Sequence, residues 1–204
     1  MPTIKTQQLV SNMDIGPRRI AFVGLDKAGK TTTLNRISRG VLTRTKPTHG
    51  YGADVFTFLG IRFNVYDLAG QEIYHLFWDR FLPHQEAIVF FIDAADSYRL
   101  DKVRQALNKT LSLMKPKTIV MILANKQDLP EALDLPDLIN ALDLDLASKA
   151  KQLQIFEVSA KTGAGLHEAF QWLASMLEIN IGVQKCTLYG FFVYQKNVGL
   201  PLVT

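Results

Sequence analysis

The chain has 204 residues, 48% of them hydrophobic and 21% charged, with a formal net charge of +4. This length predicts one domain with room for a short appendage, and the composition is that of a globular protein. Its lysines and arginines are scattered, so we expect no nucleic-acid partner, while weak attraction to an anionic membrane surface fits the charge. The single cysteine, Cys186, excludes an internal disulfide and suits a reducing compartment such as the cytoplasm.

Residues 1–17 form a leader without strong hydrophobic periodicity. Two interpretations stay open for it: a mobile segment, or a short amphipathic segment that docks on the domain or on lipid. Pro2 occupies the position of the glycine that N-terminal myristoylation requires, so we expect no such lipid anchor.

Apolar runs and spacings predict strands that alternate with helices. The predicted strands are Arg18–Leu25, Ala53–Phe58, Ile61–Asp67, Ala87–Asp93, Thr118–Ala124 and Leu153–Val158. The predicted helices are Thr31–Ser38, a stripe from Leu100 to Met114, Asp137–Leu142 and a stripe from Leu166 to Leu177. This alternation predicts an α/β three-layer sandwich with a mainly parallel six-stranded sheet and helices on both faces. Ligands of such sheets bind at the carboxyl ends of the strands.

The segment Gly24–Thr31 fits the phosphate-binding pattern G-x-x-x-x-G-K-[ST] at every fixed position. It follows a predicted strand and opens a predicted helix, where backbone N–H groups and the helix dipole favour phosphate oxygens. In this pattern Lys30 reaches the β- and γ-phosphates, and the Thr31 hydroxyl ligates Mg²⁺. The alternative is a glycine turn with a surface lysine.

The segment Asp67–Glu72 follows the third predicted strand. Asp67 can hold Mg²⁺ through a water opposite Thr31. Gly70 has no Cβ, so its backbone can approach a terminal phosphate. The Gln71 amide can accept from and donate to an attacking water at once. Alone, Asp67 would more often be a strand-end turn residue, but the nearby phosphate loop favours the functional interpretation.

The segment Asn125–Asp128 follows the fifth predicted strand. Asp128 can accept two parallel hydrogen bonds from guanine, a donor pair that adenine lacks, and such a site discriminates strongly. Asn125 can brace the loop, and the stem of Lys126 can cover the base plane. This motif disfavours a P-loop kinase or ATPase.

Two further segments complete the candidate site. After the last predicted strand, the Ala160 N–H suits guanine O6 and Lys161 can lie over the base, although a simple helix-entry turn is the alternative there. Thr48 is a candidate second hydroxyl on Mg²⁺. For His49 we favour a packed or solvated loop histidine over a catalytic one, and the other histidines lack the spacing of a zinc site.

Together these motifs resemble the nucleotide-binding segments of small GTPases of the Ras superfamily, with the nearest likeness to the Arf/Sar branch. The segments that carry the resemblance are Gly24–Thr32, Pro47–Gly50, Asp67–Glu72, Asn125–Asp128 and Ser159–Lys161. Trp78 after Gln71 agrees with this branch, and the resemblance covers residues 18–178. Ala69 is a departure, since many relatives have glycine there.

The resemblance implies a role for each matching position. The phosphates would contact Asp26, Lys27, Ala28, Gly29, Lys30, Thr31 and Thr32. Mg²⁺ would be held by Thr31, Thr48 and, through water, Asp67. Gly70 would sense the γ-phosphate, and Gln71 would be the catalytic residue that positions water. The base would contact Asn125, Lys126, Asp128, Ser159, Ala160 and Lys161.

The implied function is a GTP/GDP-controlled switch that hydrolyses GTP slowly and regulates membrane traffic or the assembly of a protein partner. Such a switch implies a GTPase-activating protein, an exchange factor and an effector, with peripheral membrane contact as a further expectation. The alternative is a GTP-binding structural scaffold with little turnover. The expected domains are a leader at 1–17, a GTPase domain at 18–180 and an extension at 181–204.

The extension at 181–204 is unusual for this family because it is strongly apolar. Its segment Thr187–Tyr194 favours a strand, and residues 198–203 could return as a second strand of a β-hairpin. An exposed apolar hairpin invites aggregation, so we expect it to pack on the domain or to pair with another chain or domain.

Overall fold

The computed structural model describes residues 16–40, 42, 45–46, 48–144 and 152–179. The predicted hairpin of the extension, and all but the last residues of the predicted leader, lie outside this part of the chain.

A six-stranded sheet forms the centre of the described structure, with the strand order β2-β3-β1-β4-β5-β6. The strands are β1 (Arg18–Gly24), β2 (Tyr51–Phe58), β3 (Ile61–Leu68), β4 (Ala87–Asp93), β5 (Ile119–Asn125) and β6 (Leu153–Glu157). Only β2 runs antiparallel to its neighbour, and the other pairs are parallel. The prediction of a mainly parallel six-stranded sheet is therefore confirmed.

Helices cover both faces of this sheet. They are α1 (Lys30–Arg39), α2 (Leu76–Phe81), α3 (Leu100–Leu113), α4 (Leu135–Ala141) and α5 (Leu166–Ile179). Short 3₁₀ turns lie at Glu72–Tyr74, Leu82–His84 and Ser97–Arg99. Of the helices in the described ranges, none combines the length and the apolar character needed to cross a bilayer.

Two apolar cores lie on opposite faces of the sheet, because successive side chains of a strand point to opposite sides. Phe22 and Phe91 pack with Phe170 of α5 on one face. Trp78 and Phe90 lie in the core on the other face. Every residue of β4 and β5 is buried, which explains why their sequences are continuous apolar runs rather than alternating ones.

The parallel register brings the chemically active segments to one edge of the sheet. Phe22 of β1 pairs with Asp67 of β3, and Asp93 of β4 pairs with Asn125 of β5. The phosphate-binding segment leaves β1 at this same edge. The topology therefore gathers the candidate residues at the carboxyl ends of the strands, as expected for a sheet of this type.

Candidate functional site

A cavity of about 460 Å³ opens at this carboxyl edge. Its lining comes from the loop before α1, from the segment before β2 and from the segment after β3. The lining residues are Asp26, Lys27, Gly29, Lys30, Thr31, Thr32, Thr45, Lys46, Thr48, Gly70 and Gln71. We call these residues, together with Asp67, the phosphate half of the site, and all the phosphate and metal candidates except Ala28 belong to it.

Lys30 begins α1 and is buried at the base of the cavity. Its ammonium donates hydrogen bonds to the Gly24 and Leu25 carbonyl oxygens at 2.9 and 2.8 Å. Burial lowers the pKa of Lys30 from 10.5 to about 8, against the opposing effect of the Asp67 and Asp26 carboxylates. An anion in the cavity would restore the stability of the charged ammonium.

Thr31, Thr48 and Asp67 form a corner of oxygen atoms. The Thr31 hydroxyl donates to Asp67 Oδ2 at 2.5 Å and lies 3.2 Å from the Thr48 hydroxyl. Burial raises the pKa of Asp67, against the opposing hydrogen bond from Thr31. Among the described residues, Asp67 Oδ1 is buried without a hydrogen-bond partner. Hydroxyl and carboxylate oxygens suit Mg²⁺, and the unpartnered Oδ1 can accept from a metal-bound water, so these residues fit the ion.

Gly70 packs against the backbone of the phosphate loop. A Cβ on Gly70 would lie 2.3 Å from the Asp26 nitrogen and 2.5 Å from the Gly24 oxygen, so only glycine fits without a shift. The Gly70 backbone therefore lies against the phosphate loop, and its approach to a terminal phosphate stays a prediction. Gln71 follows and lines the cavity, and its carbonyl accepts from the Tyr74 N–H at 2.9 Å.

Asn125 connects the phosphate loop to the turn after β6. Its Nδ2 donates to the Ala28 carbonyl at 2.8 Å, and its Oδ1 accepts from the Ala160 N–H at 2.9 Å. Gly29 permits this contact, since a Cβ there would meet Asn125 Nδ2 at 2.1 Å. Asn125 therefore holds the phosphate loop against the turn after β6. The Ala160 N–H is already used within the protein, so a bond to guanine O6 would have to share this donor.

Asp128 is oriented by the same turn. The Ser159 hydroxyl donates to Asp128 Oδ1 at 2.6 Å, and the Lys161 ammonium lies 3.3 Å from Oδ2. The Ser159 hydrogen bond is the main reason why the pKa of Asp128 is below its usual range. Asp128 is therefore fixed as a carboxylate acceptor. We call Asn125, Lys126, Asp128, Ser159, Ala160 and Lys161 the base half of the site.

Lys126 forms a contact that its motif does not predict. Its ammonium is 2.5 Å from Asp93 Oδ2, and Asp93 Oδ1 accepts from the Ala95 N–H. Asp93 is the last residue of the buried strand β4, and Asp67 lies in a similar place near the end of β3. The position of Asp93 at the end of a continuous apolar run is the sequence signal that could have identified it.

Asp26 is also engaged by a residue that was not predicted. Arg99 Nη1 lies 2.7 Å from Asp26 Oδ1, and Arg99 Nε lies 2.6 Å from Asp96. The two carboxylates raise the pKa of Arg99 despite its partial burial.

The segment before β2 contacts the segment after β3. His49 Nδ1 lies 3.1 Å from the Tyr74 hydroxyl, with the two rings edge to face. The Ala69 N–H donates to the Gly50 carbonyl at 3.0 Å. His49 therefore contacts Tyr74 within the loop region, and its assignment as a non-catalytic residue stays a prediction.

A phosphate-binding loop between β1 and α1, at the carboxyl edge of a mainly parallel sheet, defines the class of P-loop nucleoside triphosphatases.

Comparison with known proteins narrows this class to one family. The model of the ADP-ribosylation factor family matches residues 6–177. ADP-ribosylation factor 1 of Brassica rapa subsp. pekinensis is 36% identical over 165 residues, which cover 80% of this chain and 90% of that protein. ADP-ribosylation factor-like protein 1 of Caenorhabditis elegans is 37% identical over 161 residues, which cover 78% of this chain and 89% of that protein. The chain belongs to the Arf family of small GTPases, so it binds guanine nucleotides and hydrolyses GTP.

Two solved structures agree with the fold. The Arl6 BBS3 small GTPase from Trypanosoma brucei, with bound GppNp, gives a TM-score of 0.71 at 24% identity and covers 80% of this chain and 99% of that one. The structure of the mammalian SRP receptor gives a TM-score of 0.68 at 24% identity, and the match covers 78% of this chain and 100% of that one. The fold class and the family resemblance inferred from the motifs are thus confirmed.

Proposed function

We propose that this Arf-family chain is a magnesium-dependent switch that hydrolyses bound GTP slowly and controls a protein partner in membrane traffic or in complex assembly. The observation that carries the proposal is the corner of Thr31, Thr48 and Asp67 beside the cavity. It supplies oxygen ligands from three separate segments, namely the first turn of α1, the loop before β2 and the end of β3. A nucleotide with its metal would therefore order these segments together.

The phosphate half would bind the triphosphate. Backbone N–H groups from Asp26 to Thr32 would contact phosphate oxygens, with the α1 dipole adding partial positive charge. The Lys30 ammonium would turn from backbone carbonyls toward the β- and γ-phosphates. Bound Mg²⁺ would neutralise charge that develops between these phosphates during hydrolysis.

Gln71 would position the hydrolytic water, because this residue lines the cavity and a glutamine amide can both donate and accept. Gly70 beside it would respond to the presence of the γ-phosphate. Arg99 is already paired with Asp26 and Asp96, so we expect an activating partner to supply additional catalytic charge.

The base half would select guanine. The Asp128 carboxylate would accept from the guanine N1–H and exocyclic amine, while the stems of Lys126 and Lys161 cover the base faces. The Ala160 N–H would be shared between Asn125 and guanine O6, as bifurcated hydrogen bonds allow.

An aromatic surface beside the cavity is the proposed effector contact. Tyr51 and Tyr66 pack on Phe81, with ring centroids 4.7 and 5.0 Å apart. Ile73 and Leu76 lie exposed in the neighbouring segment after Gln71. Because this segment leads directly from Gly70 and Gln71, γ-phosphate binding would change the shape of the surface.

We also propose that residues 18–180 act as one GTPase domain and that the extension at 181–204 pairs with another chain or domain. Its apolar composition supports this assignment. Contact with an anionic membrane would be peripheral, in keeping with the mild positive charge.

The test is single-turnover hydrolysis of GTP by the wild-type chain and by Gln71→Leu. We expect the variant to lose at least about tenfold in rate while its GTP affinity is unchanged, because the water loses its orienting amide. The matched control is Gln105→Leu, which changes an exposed glutamine of α3 and should hydrolyse GTP at the wild-type rate. Equal rates in wild type and Gln71→Leu would contradict the catalytic assignment and favour a GTP-binding scaffold.

A further inference from the structure

Two arginines in the last turn of α1 have different partners. Arg36 Nη2 donates to the Lys161 and Thr162 carbonyls at 3.0 and 2.6 Å. Arg39 instead lies 3.4 Å from Asp54 on β2. Arg36 therefore reaches from the helix that follows the phosphate loop to the turn after β6, a separation of 126 residues along the chain.

The turn that Arg36 contacts is the turn that orients Asp128. The Thr162 N–H donates to the Ser159 hydroxyl at 3.1 Å, and that hydroxyl donates to Asp128 Oδ1 at 2.6 Å. Arg36 bonds to the carbonyl of Thr162, so one residue joins the arginine to the chain of hydrogen bonds that ends on Asp128. A displacement of Thr162 would move both the Ser159 hydroxyl and the carboxylate.

Arg36 and Asn125 both connect the chain segment of the phosphate loop and α1 to the turn after β6. Asn125 is buried and connects the Ala28 carbonyl to the Ala160 N–H. Arg36 lies at the surface and connects α1 to the next two residues, Lys161 and Thr162. Within the described part of the chain, Arg36 therefore adds hydrogen bonds at Lys161 and Thr162 to the one that Asn125 makes at Ala160.

We propose that Arg36 is a positioning residue for guanine recognition, which fixes the turn of Lys161 and Thr162 and through it the Asp128 carboxylate. This inference rests on the proposed function, because it requires Asp128 to bind the base. Its specific consequence is that Arg36 contributes to the preference for guanine over bases with fewer matching donors.

The experiment measures dissociation constants for GDP, IDP and ADP with Mg²⁺ present, by displacement of a fluorescent GDP analogue. Inosine lacks the exocyclic amine of guanine, so IDP can donate only one of the two bonds to Asp128. Arg36→Met retains the aliphatic stem and removes the donors. We expect GDP binding to weaken by about three- to tenfold and IDP binding to weaken less, since one partly exposed hydrogen-bonding group is lost.

Two variants separate positioning from general effects. Arg36→Lys restores a donor and should recover most of the preference for GDP over IDP. Arg39→Met removes the same charge one turn along α1 and should bind as wild type does. Should Arg36→Met not fold, Arg36→Gln is measured instead, since its shorter amide cannot reach both carbonyls.

The possible failures can be told apart. An unchanged ratio of GDP to IDP affinity in Arg36→Met, or an equal loss in Arg39→Met, overturns the role of Arg36. A wild-type chain that fails to prefer GDP over ADP overturns the proposed function itself.

Discussion

The two halves of the site differ in how completely the protein satisfies its own polar groups. In the base half, Asn125 has a partner for each end of its amide, and Asp128 has a partner for each oxygen. Hydrogen bonding lowers the pKa of Asp128, so the folded chain itself stabilises the charged form that guanine would need.

The phosphate half has charges that the protein leaves incompletely stabilised. Lys30 has a pKa lowered to about 8, Asp67 has a raised pKa, and Asp67 Oδ1 has no partner among the described residues. Burial is the leading cause of both pKa changes. A phosphate anion and a divalent cation would correct these deficits.

This contrast indicates which half of the site can respond to the nucleotide. A prebuilt base half offers the same contacts to GDP and GTP. A phosphate half that is completed by its ligand can take one arrangement with a γ-phosphate and another without it. Switching should therefore be confined to the phosphate half.

The largest effect is expected from Asp128→Asn in the base half. The amide would present a donor toward the guanine amine, so GTP affinity should fall by about a hundredfold or more, with xanthosine nucleotides bound better than before. Fluorescent-nucleotide displacement gives both values. Asp134→Asn, at the N-cap of α4, is the control and should leave GTP affinity unchanged because asparagine also caps helices well. Tight GTP binding by Asp128→Asn would show that the base is bound elsewhere.

The next effect concerns the metal corner of the phosphate half. Thr31→Val keeps the shape of the side chain and removes the hydroxyl, so the Mg²⁺ concentration needed for tight GTP binding should rise by about ten- to a hundredfold. A titration of nucleotide dissociation rate against Mg²⁺ measures this change. Thr31→Ser retains the hydroxyl and should behave as wild type. A Mg²⁺ requirement that is the same in all three chains would remove Thr31 from the metal site.

Gly70→Ala tests the close packing of the two segments of the phosphate half. The new Cβ would meet the Asp26 nitrogen at 2.3 Å, so the phosphate loop or residue 70 must shift, at a cost of about 1–3 kcal/mol. We expect a lower melting temperature and weaker GTP binding, with an unchanged preference for guanine. Gly52→Ala is the control, because a Cβ there makes an ordinary 3.9 Å contact with Asp67. Loss of guanine preference in Gly70→Ala would contradict the independence of the two halves.

The smallest effect is a pH dependence that arises from Lys30. Phosphate binding should raise the pKa of Lys30 from about 8 toward its usual 10.5, so GDP affinity should fall by at most about tenfold per pH unit as pH rises above 8. Calorimetry in buffers of different ionisation enthalpy would detect the proton taken up on binding. The pH is kept below the pKa of the guanine N1–H in these measurements.

The unliganded chain should show the opposite trend. Its folded state has the lower lysine pKa, so the unfolded chain binds more protons between about pH 8 and 10.5, and the Lys30 contribution to stability rises with pH in that window.

GDP affinity that is constant through pH 8 would mean that Lys30 stays fully charged without a ligand.

Much of the fold and of the site could be predicted because the relevant signals are local. Runs such as Ile88–Ile92 define buried strands, and the phosphate loop is one contiguous segment. The partners of these residues could not be predicted, because Arg99 and Asp26 are separated by 73 positions and Arg36 and Thr162 by 126. Such contacts depend on how the helices pack on the sheet, which no local pattern specifies.

Amide hydrogen exchange of the chain with Mg²⁺ and GDP, compared with Mg²⁺ and a non-hydrolysable GTP analogue, tests the contrast between the halves most directly. We predict that exchange changes in residues 45–50 and 69–84 and stays the same in residues 125–128 and 159–162. Equal changes in both sets would contradict a fixed base half and a phosphate half that responds to the nucleotide.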